Sequence, residues 1–158
     1  MEIERARTLI FRDAIPADLS RLLELEQSVI ESERPMNPSL KSSETVYYDL
    51  PHLISDDNTR LLVVEVGGKI IGSGYAQIRN SKECFVHEKH SYIGFMFVTP
   101  SHRGEGLAQK ILDHLMEWSK DRGVKDIYMD VYVKNESAIK AYTKAGFEPC
   151  LQEMKLCL

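Results

Sequence analysis

The segment from Tyr92 to Phe147 places the tightest constraint on what this 158-residue chain can become. An apolar run, Ile93-Gly94-Phe95-Met96-Phe97-Val98, is followed after a short turn by Arg103-Gly104-Glu105-Gly106-Leu107-Ala108, which opens a long helical pattern. A second apolar run from Ile127 to Val133 leads through Asn135 into a shorter helix that carries Tyr142 and stops at Gly146-Phe147. The first helix start exposes backbone N–H groups that have no intrahelical partner, at the positive end of the helix dipole. A strand feeding such a glycine-rich start suits a phosphate-bearing ligand.

The rest of the chain supplies the sheet. Leu9-Ile10-Phe11 reads as a first strand. Pro16 sits where a first helical turn tolerates it, and Leu19, Leu22, Leu23, Glu26, Val29 and Ile30 follow at helical spacing to about Glu31. Glu33 to Ser43 is a loop, and a second helix is expected from Ser43 or Glu44 to Ile54. Leu61 to Val66 and Ile70 to Ile78 are strands joined at Gly67-Gly68, a hairpin signal. Asn80 to His90 is a polar connection or a longer hairpin loop. Leu107, Ala108, Ile111, Leu112, Leu115 and Met116 form one apolar stripe that ends near Gly123. Ile127 to Val133 is a strand, Glu136 to Ala145 a helix, and Glu148 to Leu156 a final strand or strand pair. The fold class is α/β: a mixed central sheet with helices on both faces, in one domain over residues 1–158.

Composition excludes several classes. The net charge of −4 argues against nucleic acid as partner, because that affinity needs concentrated Lys and Arg. Three widely spaced cysteines, Cys84, Cys150 and Cys157, suit free thiols in a reducing compartment. No CxxC pair points to zinc. His87 and His90, with Glu88 between them, lack a partner pair and read as surface residues rather than metal ligands. Met1 to Arg12 has no signal-peptide core, and no apolar run approaches the ~20 residues of a membrane span. The expected location is the cytoplasm, with no membrane partner.

The glycines of the turn admit two readings: they let an anion approach the N–H groups, or they only shape a tight strand-to-helix connection. Other phosphate motifs do not match. No Lys-Ser/Thr follows, which excludes a P-loop. A dinucleotide fingerprint needs glycine where Gln109 stands.

The pattern Arg103-x-x-Gly106-x-Ala108, after a strand ending at Val98, resembles the acetyl-CoA signature of the GCN5-related N-acetyltransferases (GNAT). Arg12-Asp13-Ala14 with Asp18 resembles the common start of such domains, and the Gly67-Gly68 hairpin sits where that family has one. Asn135-x-x-Ala138-x-x-x-Tyr142-x-x-x-Gly146-Phe147 resembles the family's second segment near the cofactor.

The resemblance implies a mostly antiparallel sheet whose fourth and fifth strands splay to admit the pantetheine arm of acetyl-CoA, the acyl donor. It implies backbone contacts from Phe97 and Val98 to the arm, and a pyrophosphate held by Arg103, Gly104, Glu105, Gly106, Leu107 and Ala108. Asn135 would contact the arm from the other side, or simply cap the helix that follows it. Tyr142 is either a core aromatic or, as the resemblance implies, the general acid that protonates the departing thiolate. The acceptor would be a small-molecule or peptide amine, acetylated by direct attack in a ternary complex.

A free alkylamine has a pKa of about 10.4 and needs a base. Many family members carry a glutamate in the fourth strand, where Ile93 to Val98 has no acid. A second family pattern places a carboxylate in the fifth strand, and Asp130 in Met129-Asp130-Val131-Tyr132-Val133-Lys134-Asn135 occupies that position. Its other reading is a solvated strand-end aspartate or a salt bridge. Glu31, Glu33 and Tyr92 are lesser candidates. A homodimer through the final strands near Leu151 to Leu158 fits such a fold. The rival readings are a CoA-binding sensor or regulatory module without catalysis, and a nucleotide-binding α/β domain.

Overall fold

Five strands form one sheet in the order β1 to β5: β1 (Leu9–Asp13), β2 (Thr59–Val66), β3 (Lys69–Asn80), β4 (Lys89–Val98) and β5 (Ile127–Met129). The computed structural model describes residues 8–158, so the start of the chain, read above as lacking a signal-peptide core, lies partly outside the described residues. The first four strands pair antiparallel and β5 runs parallel to β4, which is the mixed, mostly antiparallel sheet expected. The helices are α1 (Leu19–Glu33), α2 (Leu50–Ser55), α3 (Leu107–Asp121) and α4 (Glu136–Ala145).

Strand alternation divides the core into two layers. Leu61 and Val63 of β2 turn toward Leu22, Leu25 and Val29 of α1, with Leu50 and Leu53 of α2. Leu62 and Val64 turn the other way, toward Leu107, Ile111, Leu112 and Leu115 of α3. The α3 stripe is therefore the apolar face expected from its spacing. Each fully buried Leu or Ile contributes about 1.5–3 kcal/mol of transfer free energy.

Alternation breaks in β3, where Val64 faces Gly72 and Glu65 faces Ile70, and again in β4. Ser73 faces Phe97 while Tyr75 faces Gly94, so three steps of β4 oppose two of β3. Phe95 absorbs the extra residue with φ 54, an uncommon conformation for a non-glycine. Its carbonyl accepts a buried hydrogen bond from Ser73 Oγ at 2.9 Å. At Gly94 a Cβ would meet the Tyr75 ring at 2.5 Å, so only glycine fits beside the bulge.

Arg12 fastens the end of β1 to the entry of α1. Its guanidinium donates to both oxygens of Asp18, at 2.8 and 3.0 Å, and Asp18 Oδ2 also accepts from the Ile15 N–H at 2.9 Å. The Arg12…Asp18 pattern thus has a structural role.

Three expectations change. The second helix spans only Leu50–Ser55, with Pro51 in its first turn and Asp49 accepting from the His52 N–H at 3.2 Å. The segment before it is held otherwise: Glu26, fully buried on α1, accepts from the N–H groups of Tyr47 and Tyr48 at 3.1 and 2.8 Å. The fifth strand stops at Met129 rather than Val133, because β4 bends at its bulge and offers no further partner. Residues 148–158 form no strand, and Leu151, Met154, Leu156 and Leu158 are exposed. A strand forms against a ladder, and none of the described residues supplies one there.

Candidate active site

The bulge and the short β5 open a slot in the sheet. β5 pairs with β4 only at Ser91, Tyr92 and Ile93. From Gly94 to Val98, among the described residues, the edge of β4 facing β5 has no strand partner. Phe97 and Val98 therefore lie on the part of β4 that has no β5 partner among the described residues.

Val98 leads directly into the glycine turn. Arg103 Nε donates to the Val98 carbonyl at 3.0 Å, and its guanidinium lies 5.5 Å from the centre of the Phe97 ring. His102 Nδ1 pairs with Thr99 Oγ1 at 3.1 Å and with Ser101 Oγ at 3.0 Å, which fixes the turn from behind. Gly104 and Gly106 take φ 81 and 76, a left-handed region that disfavours side chains. No protein atom lies within 4 Å of where a Cβ would stand on either residue. Conformation, not crowding within the protein, requires glycine there.

The same glycine-shaped turn opens α3. Gly106 caps that helix without any side-chain hydrogen bond, so its first N–H groups point outward unpaired. Glu105 is exposed, Ala108 half-buried, and Leu107 sends its side chain into the α3 core, leaving only its backbone for the turn.

Across the slot, Asn135 Oδ1 accepts from the Ala138 N–H at 3.3 Å and caps α4. Tyr142 lies one face along that helix, half-buried, its ring edge-on to Phe147 at 6.2 Å. Its hydroxyl makes no hydrogen bond among the described residues. Burial, and secondarily the charge of Glu33, push its pKa above the usual tyrosine value, so the proton is present at neutral pH.

Asp130 follows β5 immediately and is exposed. Its Oδ2 accepts from the Tyr92 hydroxyl at 3.0 Å. Burial, then Asp130, raise the Tyr92 pKa, and the Arg79 guanidinium lies 4.1 Å from the centre of its ring. Tyr92, the hydrogen-bond partner of Asp130, packs with the α1 layer and Tyr142 with the α3 layer, so the two sequence-predicted catalytic residues, Asp130 and Tyr142, are not brought into contact.

Sequence reasoning passed over a wall of tyrosines. Tyr48 stacks on Phe95 at 4.7 Å and meets Tyr47 edge-on at 5.7 Å. The Tyr132 hydroxyl accepts from Asn37 Nδ2 at 2.8 Å, tying the loop after α1 to the loop after β5. The one signal for this wall was Glu26, a carboxylate at an apolar position of the α1 stripe. His87 and His90 do not join it. Their Nδ1 atoms approach Ser81 Oγ at 2.7 and 3.0 Å, and His87 Nε2 meets the Tyr128 hydroxyl at 2.9 Å, so both brace the β3–β4 hairpin against β5. Among the described residues, no helix is long and apolar enough to cross a membrane.

Comparison with known proteins matches this geometry. An uncharacterized N-acetyltransferase of Methanocaldococcus jannaschii is 32% identical over 99 residues, covering 61% of this chain and 42% of its own length. The chain spans less than half the length of the curated relatives it matches. A mutant of the BH1408 protein from Bacillus halodurans shares the fold with a TM-score of 0.85 at 22% identity, over 94% of this chain and 99% of that one. A predicted acetyltransferase from Clostridium acetobutylicum, solved with acetyl-CoA, gives a TM-score of 0.75 at 18% identity, over 95% and 96%. The model of the acetyltransferase (GNAT) family matches residues 26–147 and so takes in slot, turn and Tyr142 together: this chain belongs to that family.

Proposed function

We propose that the chain is an acetyl-CoA-dependent N-acetyltransferase that moves the acetyl group to a primary amine by direct attack within a ternary complex. One observation carries this reading: β4 loses its β5 partner at Gly94 and runs without interruption into the uncapped, glycine-shaped start of α3. An extended arm fits the first feature and a pyrophosphate the second. Acetyl-CoA in the Clostridium acetobutylicum structure of the same fold supports the assignment.

Phe97 and Val98 then line the arm, with backbone groups of Gly104, Glu105, Gly106, Leu107 and Ala108 and the free guanidinium nitrogens of Arg103 around the pyrophosphate. Asn135 lies on the arm's other side while it caps α4.

The amine nitrogen bonds to the thioester carbon and the carbon–sulfur bond breaks. Tyr142 gives its proton to the departing sulfur and recovers one from the new amide nitrogen. The proton that an ammonium must lose before attack passes to Asp130 through the Tyr92 hydroxyl, or through water, and then to solvent. The three exposed free cysteines fit a reducing, cytoplasmic setting. The exposed Leu151 to Leu158 segment is the surface we assign to a homodimer.

Thermal unfolding with acetyl-CoA, CoA, ATP and NAD in parallel tests the reading. A ligand at ~100 times its dissociation constant stabilises the fold by about 2.7 kcal/mol. Acetyl-CoA or CoA should do so, with thiol release dependent on added amine. Binding without amine-dependent release would make the chain a CoA-binding module, and a shift with ATP or NAD alone would overturn the assignment.

A further inference from the structure

Glu33 ends α1 as a half-buried carboxylate, and among the described residues it has no ion pair. The cation next to it in sequence is turned away: Arg34 Nε donates to Glu31 at 2.7 Å and its Nη1 to the Lys41 carbonyl. A carboxylate partly withdrawn from water ordinarily has a cation or a set of donors to offset the lost hydration.

The groups around Glu33 suggest which cation is missing. The Tyr47 hydroxyl is buried and makes no hydrogen bond of good geometry among the described residues, with Glu33 and Tyr132 as the polar groups it faces. The Glu33 charge is also felt at Tyr48 and at Tyr142. Tyr48 in turn stacks on Phe95, the residue that opens the slot. One carboxylate, one buried hydroxyl without a well-formed hydrogen bond and several aromatic rings thus converge between the bulge and the hydroxyl of Tyr142. An alkylammonium has three donors and a full charge. It satisfies the carboxylate and the Tyr47 oxygen together and is attracted by the tyrosine faces.

We propose that Glu33 and Tyr47 receive the acceptor as its ammonium ion, so that the enzyme selects primary alkylamines that are charged in water over amines that are neutral. This rests on the acetyltransferase reading above. Burial raises the Glu33 pKa against a smaller opposing pull from the Tyr47 hydroxyl, the direction expected of a carboxylate that no cation offsets.

The test compares a charged alkylamine with an arylamine that is neutral at pH 7, measuring acetyl-CoA-dependent thiol release. In Glu33→Gln, kcat/KM for the alkylamine should fall about tenfold or more, the scale of a lost hydrogen bond to a charged group, and the loss should appear in KM. The arylamine should be nearly unaffected, and the thermal shift with acetyl-CoA should be retained. Tyr47→Phe should show the same split with a smaller loss, which keeps the test decisive if Glu33→Gln folds poorly. Equal losses on both amines, or no loss on the alkylamine, overturn the assignment of Glu33 while leaving the acetyltransferase reading intact. No acetyl-CoA shift in the unaltered protein overturns both.

Discussion

The Tyr92 hydroxyl donates to Asp130 Oδ2 at 3.0 Å, across the place where β4 and β5 part. This contact links a residue packed against the α1 layer to a carboxylate exposed to water, and is the route by which we propose a proton leaves the slot. Asp130→Asn is expected to lower kcat and to change the acid limb of the pH–rate profile. Tyr92→Phe should reproduce part of that change. An unaltered profile in both variants would remove Asp130 from the reaction.

Tyr142→Phe removes a hydroxyl that makes no hydrogen bond among the described residues, so stability should change little. As a general acid it should be worth about 10²–10⁴ in rate. We expect kcat to fall on that scale while the acetyl-CoA thermal shift stays as in the unaltered enzyme. A full rate in Tyr142→Phe would leave the ring as a packing element only.

Gly106 sits at φ 76 with open space where a Cβ would stand. Gly106→Ala therefore meets backbone strain without a clash, a cost of about 1–2 kcal/mol. The melting temperature should fall modestly, and acetyl-CoA affinity should fall further if the turn relaxes toward ordinary helix. Isothermal titration with CoA separates the two effects.

Glu26 holds two backbone N–H groups from inside the core, and its other oxygen, Oε1, is buried without a partner. Glu26→Ala orphans both N–H groups and should cost about 1–3 kcal/mol for each one left buried. Because Tyr47 and Tyr48 hang from this contact, chemical denaturation should show the stability loss. Steady-state kinetics should show KM rising for the amine while CoA affinity is preserved.

Arg12 holds the Asp18 carboxyl below the ordinary carboxylate range, helped by the Ile15 N–H and opposed by burial. A carboxylate whose folded pKa is lowered binds fewer protons in the native than in the unfolded state. Its stabilising contribution is fully present above the unfolded pKa and is lost as pH falls through the folded one. Asp18→Asn should destabilise the protein at neutral pH and flatten its acid unfolding limb. Glu33 has the opposite sign. Its raised pKa adds stability below the ordinary carboxylate range that is lost as pH rises through the raised value. Glu33→Gln should remove that decline.

How much of this was legible in the sequence depended on whether a segment's partners were local. The Gly67-Gly68 hairpin, the stripe of α3 and the capped, glycine-stopped α4 follow from spacing alone, and the structure repeats them. The segment before α2 looked helical, but Glu26, 21 residues before Tyr47, takes its N–H groups instead. The run from Ile127 to Val133 has strand composition throughout, yet only three residues find a ladder, because the bulge in a different strand removes the rest. The proposed cofactor side is built from consecutive backbone, so its residues stand together in the sequence. The proposed acceptor side draws Glu33, Tyr47, Tyr132 and Tyr142 from four separate segments, which no local pattern joins.

The extra residue at Phe95 has an effect beyond the strand it bends. Before it, Tyr92 and Ile93 face the α1 and α3 layers respectively; after it, Phe97 and Val98 do the same, one position out of phase with unbroken alternation. The strand is thus written in two reading frames, and the slot opens where they join. Deleting the extra residue would merge the frames with Phe97 and Val98 kept on their present faces, and would erase the opening without touching any group that does chemistry.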